Sequence, residues 1–151
     1  MSAKEFLLRK EGGLALLNAG LFSSASQHWN TPIDLYEALN EEFRFNYDPC
    51  PPGHGEIPLF GEGALHKSWE GKRVFCNPPY GPKIWYFVAK GHEPDVAVFL
   101  LPARTDTKWF HEICLARASE IRFLKGRLKF GNQDGSAPFP SMLVIFRKEE
   151  K

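Results

Sequence analysis

The apolar run Val96–Leu101 constrains the fold of this chain more than any other feature. A continuous apolar stretch of this length is typical of a strand with both faces buried, as in a parallel sheet. The run ends at Pro102-Ala103-Arg104, which places Arg104 just past the end of the strand. We therefore predict a buried parallel strand at this position.

A helix is predicted after Thr31. The Thr31 side chain can cap the helix, Pro32 suits the first helical position, and Asp34 stands where the acid of a capping box would. Helical spacing puts three apolar side chains on one face, namely Leu35, Leu39 and Phe43.

The rest of the chain alternates strand patterns with helix patterns. Further strands are predicted at Phe43–Tyr47, Val74–Cys76, Glu120–Leu124, Arg127–Phe130 and Met142–Phe146. Further helices are predicted at Ala3–Asn18, at Lys83–Lys90 closed by Gly91, and after Thr105 or Asp106, where Phe110, Ile113 and Cys114 share a face. The order of these elements predicts an α/β domain with a mostly parallel sheet and an antiparallel edge.

The composition favours one domain inside a cell. At 151 residues and 43% hydrophobic content, the chain is long enough for a single well-packed domain. A formal net charge of +1 means that any nucleic-acid contact has to come from a local basic patch. The three widely spaced cysteines favour reduced thiols in a cytoplasmic protein, and without an apolar stretch near 18 residues we expect no membrane contact.

The sequence Asn77-Pro78-Pro79-Tyr80 carries chemistry that can be argued residue by residue. An amine on an aromatic ring is a poor nucleophile because its lone pair is delocalised into the ring. The Asn77 side-chain oxygen and the Pro78 carbonyl can each accept one N–H of such an amine, while the prolines hold the carbonyl in place. Tyr80 offers a ring on which a planar base can stack. The alternative is a proline-rich turn after a buried strand.

Three polar residues follow predicted strand ends. Asp48, Asn77 and Arg104 each come directly after a strand pattern. In open α/β sheets ligands gather at the carboxyl ends of the strands, so we expect these side chains to converge on one edge.

Several ordered motifs resemble the phage-type DNA N-6-adenine methyltransferases, from about His28 to Arg147. They are Trp29-Asn30-Thr31-Pro32, Phe45–Pro49, Gly63-Ala64-Leu65 with Trp69, Asn77–Tyr80, Leu101–Asp106 with Trp109-Phe110, Gly126–Phe130 and Pro138–Ser141. The resemblance implies a Rossmann-like methyltransferase domain over residues 28–147, with an extension at 1–27 and a charged tail at 148–151. It implies S-adenosylmethionine as the methyl donor, DNA as the partner, a phage or prophage origin, restriction-modification, and the cytoplasm of a bacterial host.

The resemblance also assigns donor-binding residues. The segment formed by Trp29, Asn30, Thr31 and Pro32 is similar to the element that contacts the methionine end of the donor. Asp48 with Pro49 is similar to the acid after the first strand, which holds the donor's ammonium or ribose hydroxyls; the alternative for Asp48 is a turn role. Glu62 falls where a related acid meets the donor's adenine, and Asn77 borders the donor. The usual glycine-rich turn is missing from residues 51–55.

The substrate-binding residues are assigned in the same way. Phe130 resembles the aromatic residue that covers the second face of an extruded adenine, so Tyr80 and Phe130 would sandwich the base; its alternative is a core role. Lys125, Arg127 and Lys129 alternate along a predicted strand, where one face could neutralise phosphates or be solvated. Arg104 is expected near phosphate or the flipped base, or in a salt bridge.

Other functions fit the residues less well. Methylation of a cytosine carbon needs a cysteine nucleophile such as Cys50, but no Glu-Asn-Val partner exists in the chain. An amine or amide of RNA or protein remains an alternative acceptor, as does a catalytically inactive binding module. The spacing of Cys50, His54, His66 and Cys76 matches no common zinc site, so no metal is expected. Specificity would come from short loops such as 49–68 and 131–140, or be loose.

Overall fold

The computed structural model describes residues 29–51 and 63–149. The predicted helix Ala3–Asn18 and the candidate residue Glu62 lie outside these ranges. The elements of the described part, in chain order, are α1 (Ile33–Phe43), β1 (Arg73–Cys76), α2 (Ile84–Ala89), a 3-10 helix (Lys90–His92), β2 (Val96–Pro102), a π-helix (Phe110–Leu115), β3 (Glu120–Phe123) and β4 (Ser141–Arg147).

The four strands form one mixed sheet in the order β1-β2-β4-β3. Strands β1 and β2 are parallel, whereas β4 pairs antiparallel with both β2 and β3. The fold is therefore α/β, but the prediction of a mostly parallel sheet is wrong. Strand β2 is buried along its whole length, as its apolar run predicts. Such a run reports burial of both faces and carries no information on the direction of the neighbouring strands.

The predicted strand Phe43–Tyr47 is reduced to a single bridge. Helix α1 extends to Phe43, and Arg44 then adopts a left-handed conformation with φ of 56° while its N–H donates to the Asn40 carbonyl at 2.8 Å. Only Tyr47 pairs with Val74, in parallel orientation. The helix cap uses the residues that would have begun the strand, so the prediction is wrong for all but its last residue.

Helix α1 buries the predicted face but not through the predicted cap. Its buried side chains are Leu35, Ala38, Leu39 and Phe43. Pro32 is the cap residue, no side chain caps the helix, and the Asp34 carboxylate accepts only the neighbouring Leu35 N–H, at 3.0 Å. The capping box is therefore wrong. The Thr31 hydroxyl bonds elsewhere, to Asn77.

Gly91 does not close α2. The chain continues from α2 into the 3-10 helix Lys90–His92, which contains Gly91. A Cβ atom at Gly91 would lie 2.8 Å from the ring of Phe146. Gly91 is therefore required by close packing of this helix against β4. The predicted helix Lys83–Lys90 is confirmed within one residue at each end, and only the closing role of Gly91 is wrong.

The π-helix Phe110–Leu115 follows a cap that differs from the predicted one. The Thr107 hydroxyl accepts the Phe110 N–H at 3.3 Å and donates to the Arg104 carbonyl at 2.8 Å. Thr107, rather than Thr105 or Asp106, therefore begins this helical segment. Its buried face is the predicted one and consists of Phe110, Ile113 and Cys114.

The segment Arg127–Phe130 is not a strand. It forms no ladder, and it follows a turn at Gly126, where φ is 77°. The Leu128 carbonyl accepts the Ala137 N–H at 2.8 Å, so residues of the following loop hold the segment in place. The predicted strands on either side are confirmed within one residue at each end, as β3 and β4.

No helix in residues 29–51 and 63–149 is long and apolar enough to cross a membrane.

Candidate active site

The Asn77–Tyr80 motif follows β1 at the end of the sheet where β1 and β2 finish and β4 begins, here called the carboxyl edge. All four residues of the motif are buried. Gly81 comes next with φ of 122°, a conformation that side chains oppose, and its carbonyl accepts the Ile84 N–H at 3.2 Å. This turn leads the chain from the motif directly into α2.

The Asn77 amide is held in one orientation. Its Nδ2 donates to the Trp29 carbonyl and, at 3.0 Å, to the Thr31 hydroxyl. A backbone carbonyl can only accept, so the amide nitrogen has to face Trp29. The opposite atom, Asn77 Oδ1, is buried and has no hydrogen-bond partner. The amide therefore presents an unused acceptor at the carboxyl edge, and leaving such a group unpaired costs about 1–3 kcal/mol.

The segment that begins at Trp29 is fixed between the motif and a loop. The Asn30 N–H donates to Asn132 Oδ1 at 2.7 Å, and the Asn30 carbonyl accepts the Gly131 N–H at 3.0 Å. On its other side this segment receives both Asn77 bonds. The structure thus brings together Trp29, Asn30, Thr31 and Asn77, to which the resemblance assigns donor binding.

Four rings form an aromatic cluster beside Asn77: Trp29, Tyr80, Phe130 and Phe139. The Trp29 and Tyr80 rings are stacked at 6.5 Å with an interplanar angle of 24°, and Phe139 lies 5.0 Å from Trp29 and 5.5 Å from Tyr80. The Tyr80 and Phe130 rings are 6.4 Å apart at 84°. A base that stacks between two parallel rings requires the rings to be two van der Waals contact distances apart, or about 7–8 Å. Tyr80 and Phe130 therefore do not form the expected sandwich, because the Phe130 ring packs edge to face on the Tyr80 ring.

The Tyr80 hydroxyl is directed into the sheet. It donates to the Leu100 carbonyl at 3.2 Å. Burial raises the pKa of Tyr80 well above its ordinary value, and nearby Arg104 partly opposes that rise. Tyr80 is therefore a neutral phenol, and its ring rather than its hydroxyl contacts the other three rings of the aromatic cluster.

Asp48 has the turn role that the sequence left open. Its Oδ1 accepts the Cys50 N–H at 2.8 Å, and its side chain is half-buried beside the buried Pro49. Burial is the main cause of the raised pKa of Tyr47, and the Asp48 charge adds to it. This bond does not exclude donor binding, since a carboxylate accepts several hydrogen bonds.

The cysteines near the motif are poor nucleophiles. Burial, followed by a hydrogen bond with Cys50, raises the pKa of Cys76 well above its ordinary value. Cys50 itself is buried. Within residues 29–51 and 63–149, no group of three His, Cys, Asp or Glu side chains could hold a metal ion.

The four predicted phosphate-binding cations differ in exposure. Lys125, Lys129 and Arg104 are exposed, and the Arg104 guanidinium lies 6.0 Å from the Phe139 ring. Among the described residues Arg104 forms no salt bridge. Arg127 is half-buried, and its Nη1 is buried without a hydrogen-bond partner. The predicted strand that would put Lys125, Arg127 and Lys129 on one face is absent, so the prediction of a shared strand face is wrong, whereas phosphate binding by these residues stays a prediction.

Two residues near the motif received no role from the sequence. Phe139 joins the aromatic cluster, and Ser141 begins β4 at the carboxyl edge with a buried hydroxyl that has no partner. Both belong to the Pro138–Ser141 motif, which was the only signal for them.

Comparisons with known proteins identify the family of the chain. Searches against curated proteins and against solved structures gave no significant match. The family model described as DNA N-6-adenine-methyltransferase (Dam) matches residues 19–151, which is most of the chain. The chain therefore belongs to the DNA N-6-adenine-methyltransferase (Dam) family.

Proposed function

We propose that this protein transfers a methyl group from S-adenosylmethionine to the N-6 amine of adenine at specific sites in DNA. The single observation that carries the proposal is the state of Asn77. Both hydrogen atoms of its amide nitrogen are committed to Trp29 and Thr31, while Oδ1 is buried and unpaired. An acceptor that is fixed, dehydrated and unused is suited to an N–H donor supplied by a substrate.

The adenine amine would donate one N–H to Asn77 Oδ1 and the other to the Pro78 carbonyl. These two bonds draw the nitrogen toward tetrahedral geometry and direct its lone pair away from the ring. Bound S-adenosylmethionine supplies a methyl group whose carbon–sulfur bond breaks as the carbon–nitrogen bond forms. The surplus proton of the amine then leaves to water, so catalysis needs positioned acceptors rather than a metal or a strong base.

The residues near Asn77 suit a donor of this chemistry. The donor has a cationic sulfonium and an ammonium group, and Asp48 offers a half-buried carboxylate after Tyr47. Aromatic faces such as those of Trp29 and Tyr80 also attract cations. We assign the donor site to the segment from Trp29 to Pro32 and to Asp48 with Pro49, and we add Glu62, which lies outside the described residues.

The target base would stack on Tyr80 after leaving the duplex. Base extrusion costs a few kcal/mol, and stacking on an aromatic ring contributes about 1–3 kcal/mol per base. Because Trp29 is stacked on Tyr80 and Phe130 is perpendicular to it, the aromatic cluster has to rearrange before a base can enter. We propose that the base takes the place of the Trp29 indole and that Phe130 turns to cover its second face.

Cations at the carboxyl edge would bind the DNA backbone. Arg104 follows β2, and Lys125, Arg127 and Lys129 lie in the connection between β3 and β4. Each cation that neutralises a phosphate releases condensed counterions, so binding should weaken as salt rises. The recognised sequence would be read by loops 49–68 and 131–140.

The experiment that tests this proposal offers the protein three acceptors together with labelled S-adenosylmethionine. They are unmethylated duplex DNA, structured RNA and a mixed protein substrate. We expect label in DNA alone. Label in RNA or protein with none in DNA would favour the alternative acceptors, and donor binding without transfer to any acceptor would favour an inactive binding module.

A further inference from the structure

Three buried side-chain atoms of the described residues have no hydrogen-bond partner. They are Asn77 Oδ1, Arg127 Nη1 and Ser141 Oγ. Folded proteins pair nearly all buried polar groups, so each such atom requires an explanation. In the proposed function Asn77 receives the amine and Arg127 a phosphate. Ser141 alone remains without a ligand.

Ser141 lies at the same end of the sheet as the motif. It is the first residue of β4 and pairs with Pro102, the last residue of β2. Its side chain is completely buried. The Ser141 carbonyl accepts the Leu124 N–H at 3.0 Å, so only the hydroxyl lacks a bond.

The strand register brings Ser141 and Asn77 toward one face of the sheet. Cys76 pairs with Phe99 at the end of β1. Continuing the same register by one residue places Asn77 beside Leu100. Leu100 and Pro102 project to the same face, because side chains alternate along a strand, and Ser141 shares the face of its partner Pro102. Strands β1 and β4 flank β2, which separates them by about 10 Å. Hydrogen bonds of about 2.9 Å to the amine and to a neighbouring ring nitrogen place the two protein oxygens roughly 6–7 Å apart, so the two side chains have to lean toward each other above β2.

The start of β4 also adjoins the place where the base would stack. Phe139, two residues before Ser141, contacts both Trp29 and Tyr80 in the aromatic cluster. A base that replaces the Trp29 indole would therefore meet the beginning of β4. Adenine carries an acceptor nitrogen on each side of its amine, N7 on the major-groove edge and N1 on the pairing edge.

We propose that the Ser141 hydroxyl donates a hydrogen bond to the ring nitrogen, N1 or N7, that flanks the amine of the target adenine. This inference rests on the proposed function. The serine bond would fix the rotation of the base in its plane, while Asn77 and Pro78 hold the amine. Ser141 is then a substrate-binding residue that sets the angle at which the amine lone pair meets the methyl group.

The test compares kcat/KM for the intact protein, Ser141→Ala and Ser119→Ala. Ser119 precedes β3 at the opposite end of the sheet from Ser141, and its Oγ accepts the Arg147 N–H at 2.9 Å. The substrates are duplexes of the sequence that the intact protein methylates, with adenine, 1-deazaadenine or 7-deazaadenine at the target. On adenine, Ser141→Ala should lower kcat/KM roughly tenfold, as expected for one buried hydrogen bond, and Ser119→Ala should change it little.

The analogues decide between a bond to the base and a packing effect. The intact protein should lose a similar factor on one of the two analogues, and Ser141→Ala should lose little more on that same analogue, because both changes remove one bond. Additive losses on both analogues would overturn the inference, as would a change confined to the KM of the donor. If Ser141→Ala fails to fold, Ser141→Cys carries the same comparison with a weaker donor. Absence of turnover in the intact protein overturns the proposed function and this inference with it, whereas turnover with additive losses overturns this inference alone.

Discussion

Replacing Asn77 by Ala should reduce methyl transfer far more than it reduces stability. The substitution removes the unpaired Oδ1 and also the two Nδ2 bonds to Trp29 and Thr31. Loss of one preorganised hydrogen-bonding group at a reacting centre lowers turnover by about 10²–10³-fold, or about 2.7–4 kcal/mol. The two lost Nδ2 bonds contribute about 0.5–1.5 kcal/mol each to stability, but the substitution also removes the unpaired Oδ1, whose burial costs about 1–3 kcal/mol, so Tm should fall by at most a few degrees.

A matched variant separates these two effects. Thr31→Val removes one partner of Nδ2 but leaves Oδ1 in place, so it should lower Tm by a similar amount and turnover by less than tenfold. Asn46→Ala, an exposed asparagine at the opposite end of β1, serves as the control for removing an amide. The assay is single-turnover methyl transfer with saturating donor, together with thermal unfolding and calorimetric donor binding. Equal turnover in Asn77→Ala and the intact protein, or equal losses in Asn77→Ala and Thr31→Val, would refute the role of Oδ1.

Three further predictions concern the aromatic cluster and the basic residues. If the base replaces the Trp29 indole, DNA binding should change the tryptophan fluorescence of the intact protein, and Trp29→Phe should lose most of that change; an identical change in both would contradict the displacement. Because burial raises the pKa of Tyr80, the neutral phenol favours folding below pH about 10 and this stability is lost as pH rises further, so Tyr80→Phe should unfold less steeply in alkali. If the stability of Tyr80→Phe falls above pH about 10 as steeply as that of the intact protein, the raised pKa of Tyr80 is contradicted. Arg127→Ala and Lys129→Ala should each reduce the slope of log K against log salt by about 1 in DNA-binding titrations, and an unchanged slope would remove that residue from the phosphate contacts.

The position of the motif could be predicted because its signals are local. Apolar residues before Asn77 define a short buried strand, and the two prolines end it, so the motif had to follow the strand. The buried strand Val96–Leu101 was predictable for the same reason. The direction of the strands in the sheet could not be predicted, because β4 reaches its position beside β2 only through the long connection that follows β3.

Other features depend on contacts between distant parts of the chain. Thr31 has the side chain of a helix cap, yet its hydroxyl pairs with Asn77, 46 residues away. The contacts of Phe139 with Trp29 and Tyr80 likewise join three separate segments. The alternation of Arg127–Phe130 resembles a strand because Leu128 and Phe130 are buried, although no neighbouring strand pairs with it. Local sequence patterns indicate which residues are buried, whereas tertiary packing decides which residues they contact.

The most direct test of the account is the chemical identity of the methylated product. Unmethylated duplex DNA would be incubated with the intact protein and labelled S-adenosylmethionine, digested to nucleosides and analysed by mass spectrometry. We expect the label in N-6-methyladenine and its loss in Asn77→Ala. Label in a carbon-methylated cytosine, or equal labelling of adenine by both proteins, would contradict the claim that the Asn77 acceptor activates an adenine amine.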